Sequence, residues 1–156
     1  MTRIVSVFTG ALAITAFTAT MIAQAPAGAP PAPSAQAAAG AKSVSDGVYT
    51  ADQAKRGEAI YKEQCAACHG DNLEGSGPMP ALAGPDFTKS WMGKTVADLF
   101  DKTHSSMPAT APGSLTEKQT ADVLAYLLSV SKYPAGTTEL ADSIEPLKSI
   151  SLDAKQ

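Results

Sequence analysis

Apolar residues along the last two thirds of the chain recur with the period of an α-helix, and no segment shows the alternation of a strand. The clearest stretch follows Thr116, with apolar residues at Val123, Leu124, Leu127, Leu128 and Val130. The four residues from Thr50 and the four from Thr116 both have the capping-box sequence S/T-x-x-E/Q, which begins a helix. We therefore predict one helix from Thr50 to about Ala67 and another from Thr116, which Pro134 prevents from continuing. The predicted fold class is all-α.

Two shorter helices are expected between these two, separated by irregular chain. Residues 70–85 contain four glycines and three prolines, which is typical of a loop. A short helical turn is predicted within residues 86–92, and Thr95 is expected to begin a helix that ends near His104. A second loop, with two prolines and one glycine, follows at residues 105–114.

The N-terminal region is predicted to lie outside the folded core. Arg3 is the only charged residue among the first 41, an apolar stretch follows it, and small residues lead up to Ala27. This pattern is typical of a signal peptide, so residues 1–27 are predicted to be removed after Sec-dependent export to the periplasm. An uncleaved segment that anchors the protein in the membrane, facing the periplasm, is the alternative, although its many hydroxyl residues disfavour a span.

The remaining chain is predicted to contain a tether, one small domain and an extension. Residues 28–47, rich in Ala and Pro, are expected to form a disordered tether, and residues 48–131 the domain. Residues 132–156 are expected to pack over its surface through Leu140, Ile144, Leu147 and Ile150.

The chain without its predicted signal peptide is acidic. The 12 basic residues less Arg3 leave 11 against 15 acidic ones, a net charge of −4. A nucleic-acid partner is therefore not expected.

The sequence Cys65-Ala66-Ala67-Cys68-His69 carries the chemistry of the chain and uses both of its cysteines. It is the C-x-x-C-H pattern of covalent c-type haem attachment. Each thiol can add to one vinyl group of the porphyrin, and the imidazole after Cys68 can ligate the iron. A thioredoxin-like site would need a βαβ setting, and a zinc site four suitably spaced ligands. A disulfide would leave His69 unexplained.

The identity of the sixth iron ligand distinguishes an electron carrier from a haem protein that binds small molecules at the iron. Met107 is the strongest candidate because it lies in a loop between two helices, 38 residues after His69, and Pro108 favours an extended backbone at Met107. A thioether suits low-spin iron and raises the reduction potential. Met79 and Met92 are interpreted as core-packing residues. His104 remains the alternative ligand and would give a bis-histidine site.

These motifs, together with Pro80-Ala81-Leu82, Trp91 and Met107-Pro108, resemble those of class I monohaem cytochromes c over about residues 49–130. The resemblance implies a small all-α domain wrapped around one covalent haem c. A narrower resemblance comes from the sequences of residues 107–115 and 133–136. These are similar to bacterial cytochromes that serve pyrroloquinoline-quinone (PQQ)-dependent alcohol dehydrogenases.

The resemblance also implies roles for individual residues. Cys65 and Cys68 would form the thioethers, and His69 and Met107 would be the axial ligands. The Pro80 carbonyl would accept a hydrogen bond from His69. Other implied contacts are Leu82 packing on the porphyrin, Trp91 donating to a propionate, and Gly57 and Tyr61 meeting Tyr126.

The function expected is one-electron transport in the periplasm, without catalysis. Electrons would come from a dehydrogenase, of which this chain could be the cytochrome subunit, and pass to a cytochrome or oxidase of the respiratory chain. No small-molecule substrate is expected. A haem peroxidase or a gas-binding sensor, each with a displaceable sixth ligand, is the alternative.

Overall fold

The computed structural model describes residues 43–153, and the regular elements of that part are all helices. After a short 3-10 turn at Val44–Asp46, the six helices are α1 (Ala51–Gln64), α2 (Ala66–His69), α3 (Gly84–Trp91), α4 (Val96–Ser106), α5 (Glu117–Val130) and α6 (Ile144–Leu147). The all-α prediction is confirmed. None of these helices is long and apolar enough to cross a membrane. The predicted signal peptide, and the tether up to residue 42, lie outside the described residues.

Helices α1 and α5 pack against each other at a point where their backbones almost touch. A Cβ atom at Gly57 would lie 1.8 Å from the Asp122 carbonyl oxygen and 3.0 Å from the Tyr126 Cβ atom. One turn further along α1, the Tyr61 ring lies 5.4 Å from the Tyr126 ring, centroid to centroid. The predicted meeting of Gly57, Tyr61 and Tyr126 is confirmed. Only glycine leaves room for this crossing.

A group of ion pairs beside this crossing joins α1, α5 and the C-terminal extension. The Arg56 guanidinium donates to both carboxylate oxygens of Asp122 on α5, at 3.0 and 2.9 Å, and to Glu139 of the C-terminal extension at 2.7 Å. The hydrogen bond to Asp122 is the main cause that raises the pKa of Arg56. Because the Asp122 side chain is only 5% exposed, the charge of Arg56 compensates its burial.

Gln53 departs from the capping box predicted for α1. Thr50 Oγ1 accepts from the Gln53 backbone N–H at 3.1 Å, which is half of the box. The Gln53 side chain is fully buried and instead binds the backbone of Leu140, donating to its carbonyl at 2.9 Å and accepting from its N–H at 2.7 Å. A glutamine that satisfies both backbone groups of a distant residue fastens the extension to α1. The box at Thr116 is complete.

Both ends of the described chain pack into the core, which was not expected. Val44, in the predicted tether, is fully buried, and its N–H donates to the Ser151 carbonyl at 3.0 Å. The folded domain therefore includes residues before Val48, because Val44 contributes to its core. In the extension Leu140, Leu147, Ile150 and Leu152 are core residues, so it forms part of the core and does not merely cover the surface. Ile144 is 37% exposed, against expectation.

We predict that Gly57→Ala destabilises the haem-loaded protein by about 3 kcal/mol, because the added methyl group must force two backbones apart. The measurement is the free energy of unfolding in guanidinium chloride. Ala59→Val adds bulk at an exposed position of the same helix and should cost less than about 1 kcal/mol. Equal effects of the two substitutions would contradict the close crossing.

Gln53→Leu tests the link between α1 and the extension. The substitution keeps the side chain's bulk but leaves the Leu140 N–H and carbonyl without partners, which should lower the free energy of unfolding by about 2 kcal/mol. Gln64→Leu, at the exposed end of α1, is the control and should change it by less than about 0.5 kcal/mol. A Gln53 variant as stable as this control would show that the buried amide contributes nothing.

Candidate haem site

The two cysteines lie at a break in the helix that begins at Ala51. Helix α1 ends at Gln64, three residues earlier than predicted, because Cys65 leaves helical geometry with φ −125° and ψ −36°. Its carbonyl accepts the backbone N–H groups of Cys68 and His69 at 3.1 and 3.0 Å, which begins α2. Both cysteines are free thiols; Cys65 is half-buried and Cys68 exposed. Burial raises the pKa of the Cys65 thiol, and the neighbouring Cys68 adds to this effect.

The His69 imidazole is held in one orientation by the loop that follows it. His69 is buried, and its Nδ1 atom lies 2.9 Å from the Pro80 carbonyl oxygen. A carbonyl oxygen can only accept, so Nδ1 carries the hydrogen and Nε2 keeps its lone pair. The Pro80 loop is fixed in turn by the Leu82 N–H, which donates to the Leu73 carbonyl at 2.9 Å. This is the tautomer that an iron-ligating histidine requires.

Trp91 and Leu82, the two residues implied to contact the porphyrin, are half-buried against the core. The Trp91 ring lies 6.3 Å from the Phe87 ring, and the Lys94 ammonium lies 4.9 Å from its centroid. Among residues 43–153 the Trp91 indole N–H has no protein acceptor, so it is available to a propionate. Lys94 was missed in the sequence, although its position three residues after Trp91 could have indicated it.

Met107 lies where α4 ends. This helix runs to Ser106, slightly beyond the predicted end at His104, and Met107 has extended backbone with φ −123° and ψ 151°. Its N–H still donates to the Thr103 carbonyl at 3.0 Å, so the position of Met107 is set by the last turn of α4. No described contact joins Met107 to His69, and their pairing as axial ligands stays a prediction.

The other candidate ligands have different surroundings. Met79 and Met92 are 39% and 53% exposed, so their interpretation as core residues was wrong. Met79 lies in the segment between α2 and α3, and Met92 is the C-cap residue of α3. His104 is half-buried, stacks on Phe100 and lies beside Thr120 of α5. Within residues 43–153 no group of three or more His, Cys, Asp or Glu side chains could hold a metal ion.

The residues present fit a covalently bound haem. Two free thiols lie one helical turn apart, the imidazole after them has a free Nε2 lone pair, and among residues 43–153 the Trp91 indole N–H has no partner. A comparison with protein families agrees. The family model described as cytochrome c oxidase, cbb3-type, subunit III matches residues 52–127, from the first turn of α1 to the last turn of α5.

Residues 52–127 therefore form a cytochrome c domain. Its helices have the all-α arrangement of the class I cytochrome c fold, as predicted, and its cofactor is covalent haem c. The predicted likeness to c-type cytochromes is therefore confirmed. The association with PQQ-dependent alcohol dehydrogenases stays a prediction.

A solved structure described as the sulfane dehydrogenase SoxCD from Paracoccus pantotrophus is 29% identical over 50% of this chain and 43% of that chain, with a TM-score of 0.41. The matched part is less than half of that protein, and the likeness supports no statement about partners or substrates of the cytochrome. No match was found among curated protein sequences.

Replacing Cys65 and Cys68 together with serine is expected to abolish covalent attachment of haem, since the chain has no other thiol. Mass spectrometry of the denatured protein should give the mass of the bare polypeptide for this variant and a larger mass for the wild type. Extraction with acidified acetone should leave pigment only on the wild type. Pigment retained by the double variant would contradict attachment through these thiols.

Proposed function

We propose that the protein is an exported one-electron carrier whose haem iron is held between His69 and Met107. It would take electrons from a dehydrogenase and pass them to a cytochrome or oxidase of the respiratory chain. The observation that carries the proposal is the Nδ1 hydrogen bond of His69 to Pro80, which leaves Nε2 as the ligating atom. Met107 supplies the soft second ligand from a loop that one turn of α4 positions.

The haem, when bound, supplies a metal centre that accepts and releases one electron. The residues of the chain determine the surroundings of that centre. Pro80 fixes the plane and the tautomer of the His69 ring and increases its basicity as a ligand. Trp91 offers its indole N–H to a propionate, and the Lys94 ammonium beside it adds positive charge at the same edge. Met107 fills the position that peroxide, oxygen or carbon monoxide would need.

The surface near the motif favours a redox encounter with a protein. Cys68 is exposed, so a haem edge attached there would be accessible to a partner. Residues 75–83 around Pro80 and residues 107–114 around Met107 have no Asp, Glu, Lys or Arg, although Asp71 and Glu74 lie earlier in the Pro80 loop. A partner would dock there over a small, transient and mostly uncharged contact, with low dependence of the rate on salt. A quinoprotein alcohol dehydrogenase is the donor that the sequence resemblance favours.

We predict that Met107→Ala opens the sixth coordination position. The ferric protein should lose the weak far-red absorption band of an iron–sulfur bond, the ferrous protein should bind carbon monoxide, and the reduction potential should fall. A fall on the order of 0.1 V is expected, a modest part of the roughly 0.8 V range that axial ligands set. Absorption spectroscopy and a redox titration measure these changes.

Met79→Ala and Met92→Ala are the matched controls, since both side chains are exposed. Each should keep the far-red band and the wild-type potential. A Met107 variant that behaves like these controls would contradict the proposed ligation. Wild-type protein that already binds carbon monoxide readily would instead favour a peroxidase or a gas sensor.

A further inference from the structure

The segment that contains Met107 is the loop that connects the end of α4 to the start of α5. We call residues 107–115 the methionine loop. It begins where α4 ends and finishes before Thr116, the N-cap of α5. Two turns shape it internally, closed by the Ala111 N–H to the Pro108 carbonyl at 2.9 Å and the Ser114 N–H to the Ala111 carbonyl at 3.2 Å. The last residue of the loop, Leu115, is buried.

A chain of hydrogen bonds connects the two ends of this loop. Thr120 is fully buried, and its hydroxyl donates to the Thr116 carbonyl at 3.0 Å. That hydroxyl has one hydrogen; with this hydrogen on the Thr116 carbonyl, the hydroxyl oxygen accepts from the His104 Nδ1 atom, 3.3 Å away. The order is therefore His104 to Thr120 to Thr116, which we call the loop-base chain. It runs from the last turn of α4 to the N-cap of α5.

Two further contacts fix His104 in place. Its ring stacks on Phe100, one turn earlier in α4, with the centroids 5.9 Å apart and the planes inclined by 27°. The methionine loop also returns to it, because a Cβ atom at Gly113 would lie 4.0 Å from the His104 carbonyl oxygen. His104 thus lies three residues before Met107, contacts the first turn of α5 through Thr120, and has its backbone carbonyl close to Gly113 inside the loop.

We infer that His104 is a positioning residue for Met107, acting through the loop-base chain. It restrains the distance between the two ends of the methionine loop, and so restrains where the Met107 sulfur lies. Loss of the His104–Thr120 hydrogen bond would let the loop open and the sulfur leave the iron more often. This inference rests on the proposed ligation by Met107, and it assigns to His104 a role other than that of an iron ligand.

Two substitutions of His104 separate its hydrogen bond from its packing. His104→Phe keeps a ring that can stack on Phe100 but has no donor for Thr120. His104→Asn places an amide N–H near the former Nδ1 position and keeps the donor. We expect His104→Phe to raise the rate of carbon monoxide binding to the ferrous protein about five- to tenfold and to weaken the far-red ferric band, while His104→Asn stays within about twofold of the wild type.

Thr120→Val tests the same hydrogen bond from α5, since valine keeps the shape of the side chain and removes the hydroxyl. It should reproduce the increase seen for His104→Phe. Thr88→Val is the matched control, because the Thr88 hydroxyl bonds only to the Gly84 carbonyl of its own helix, at 3.0 Å. That control should bind carbon monoxide at the wild-type rate.

The outcomes separate this inference from the proposed function. If Met107→Ala loses the far-red band while His104→Phe and Thr120→Val remain like the wild type, the ligation stands and the loop-base chain is overturned. An increase of the same size for His104→Asn would also overturn it, by assigning the effect to packing. If Met107→Ala keeps the wild-type band, the proposed ligation itself is wrong.

Discussion

The close crossing of α1 and α5 at Gly57 is the constraint on which the rest of the structure depends. With a Cβ atom there, α1 would run into the Asp122 backbone. The haem-attachment sequence follows the end of α1, and the methionine loop leads into the start of α5. The segment that contains His69 and the far end of the methionine loop therefore both adjoin this helix pair, while α4 holds the near end of the loop at Met107. A change in the separation of α1 and α5 would alter the spacing between the proposed ligands.

Polar contacts and the C-terminal extension reinforce that helix pair. Arg56 joins α1 to Asp122 on α5 and to Glu139 beyond it, while Gln53 holds the backbone of Leu140. Buried residues of the extension complete a core that a domain of this length would otherwise have difficulty forming. Covalent haem adds further apolar surface. The extension is thus a structural part of the domain that supports the electron-transfer site.

Local sequence signals predicted much of this arrangement. The capping sequence at Thr116 defined the start of α5, and the C-x-x-C-H motif identified the cofactor, because both depend on neighbouring residues alone. The failures concern partners far away in sequence. Gln53 left its predicted cap because Leu140 offered it two buried backbone groups, and Val44 joined the core because Ser151 gave it a partner. The contact of His104 with Thr120 likewise has no local signal, since it requires α4 to pack on α5.

The central claim, that one iron lies between His69 and Met107, is tested most directly by NMR of the ferrous protein labelled at its methionine methyl groups. The ring current of the haem should shift one methyl resonance far upfield, and that resonance should disappear in Met107→Leu. The methyl resonances of Met79 and Met92 should stay at ordinary positions. A spectrum in which every methionine methyl group resonates at an ordinary position would contradict the account.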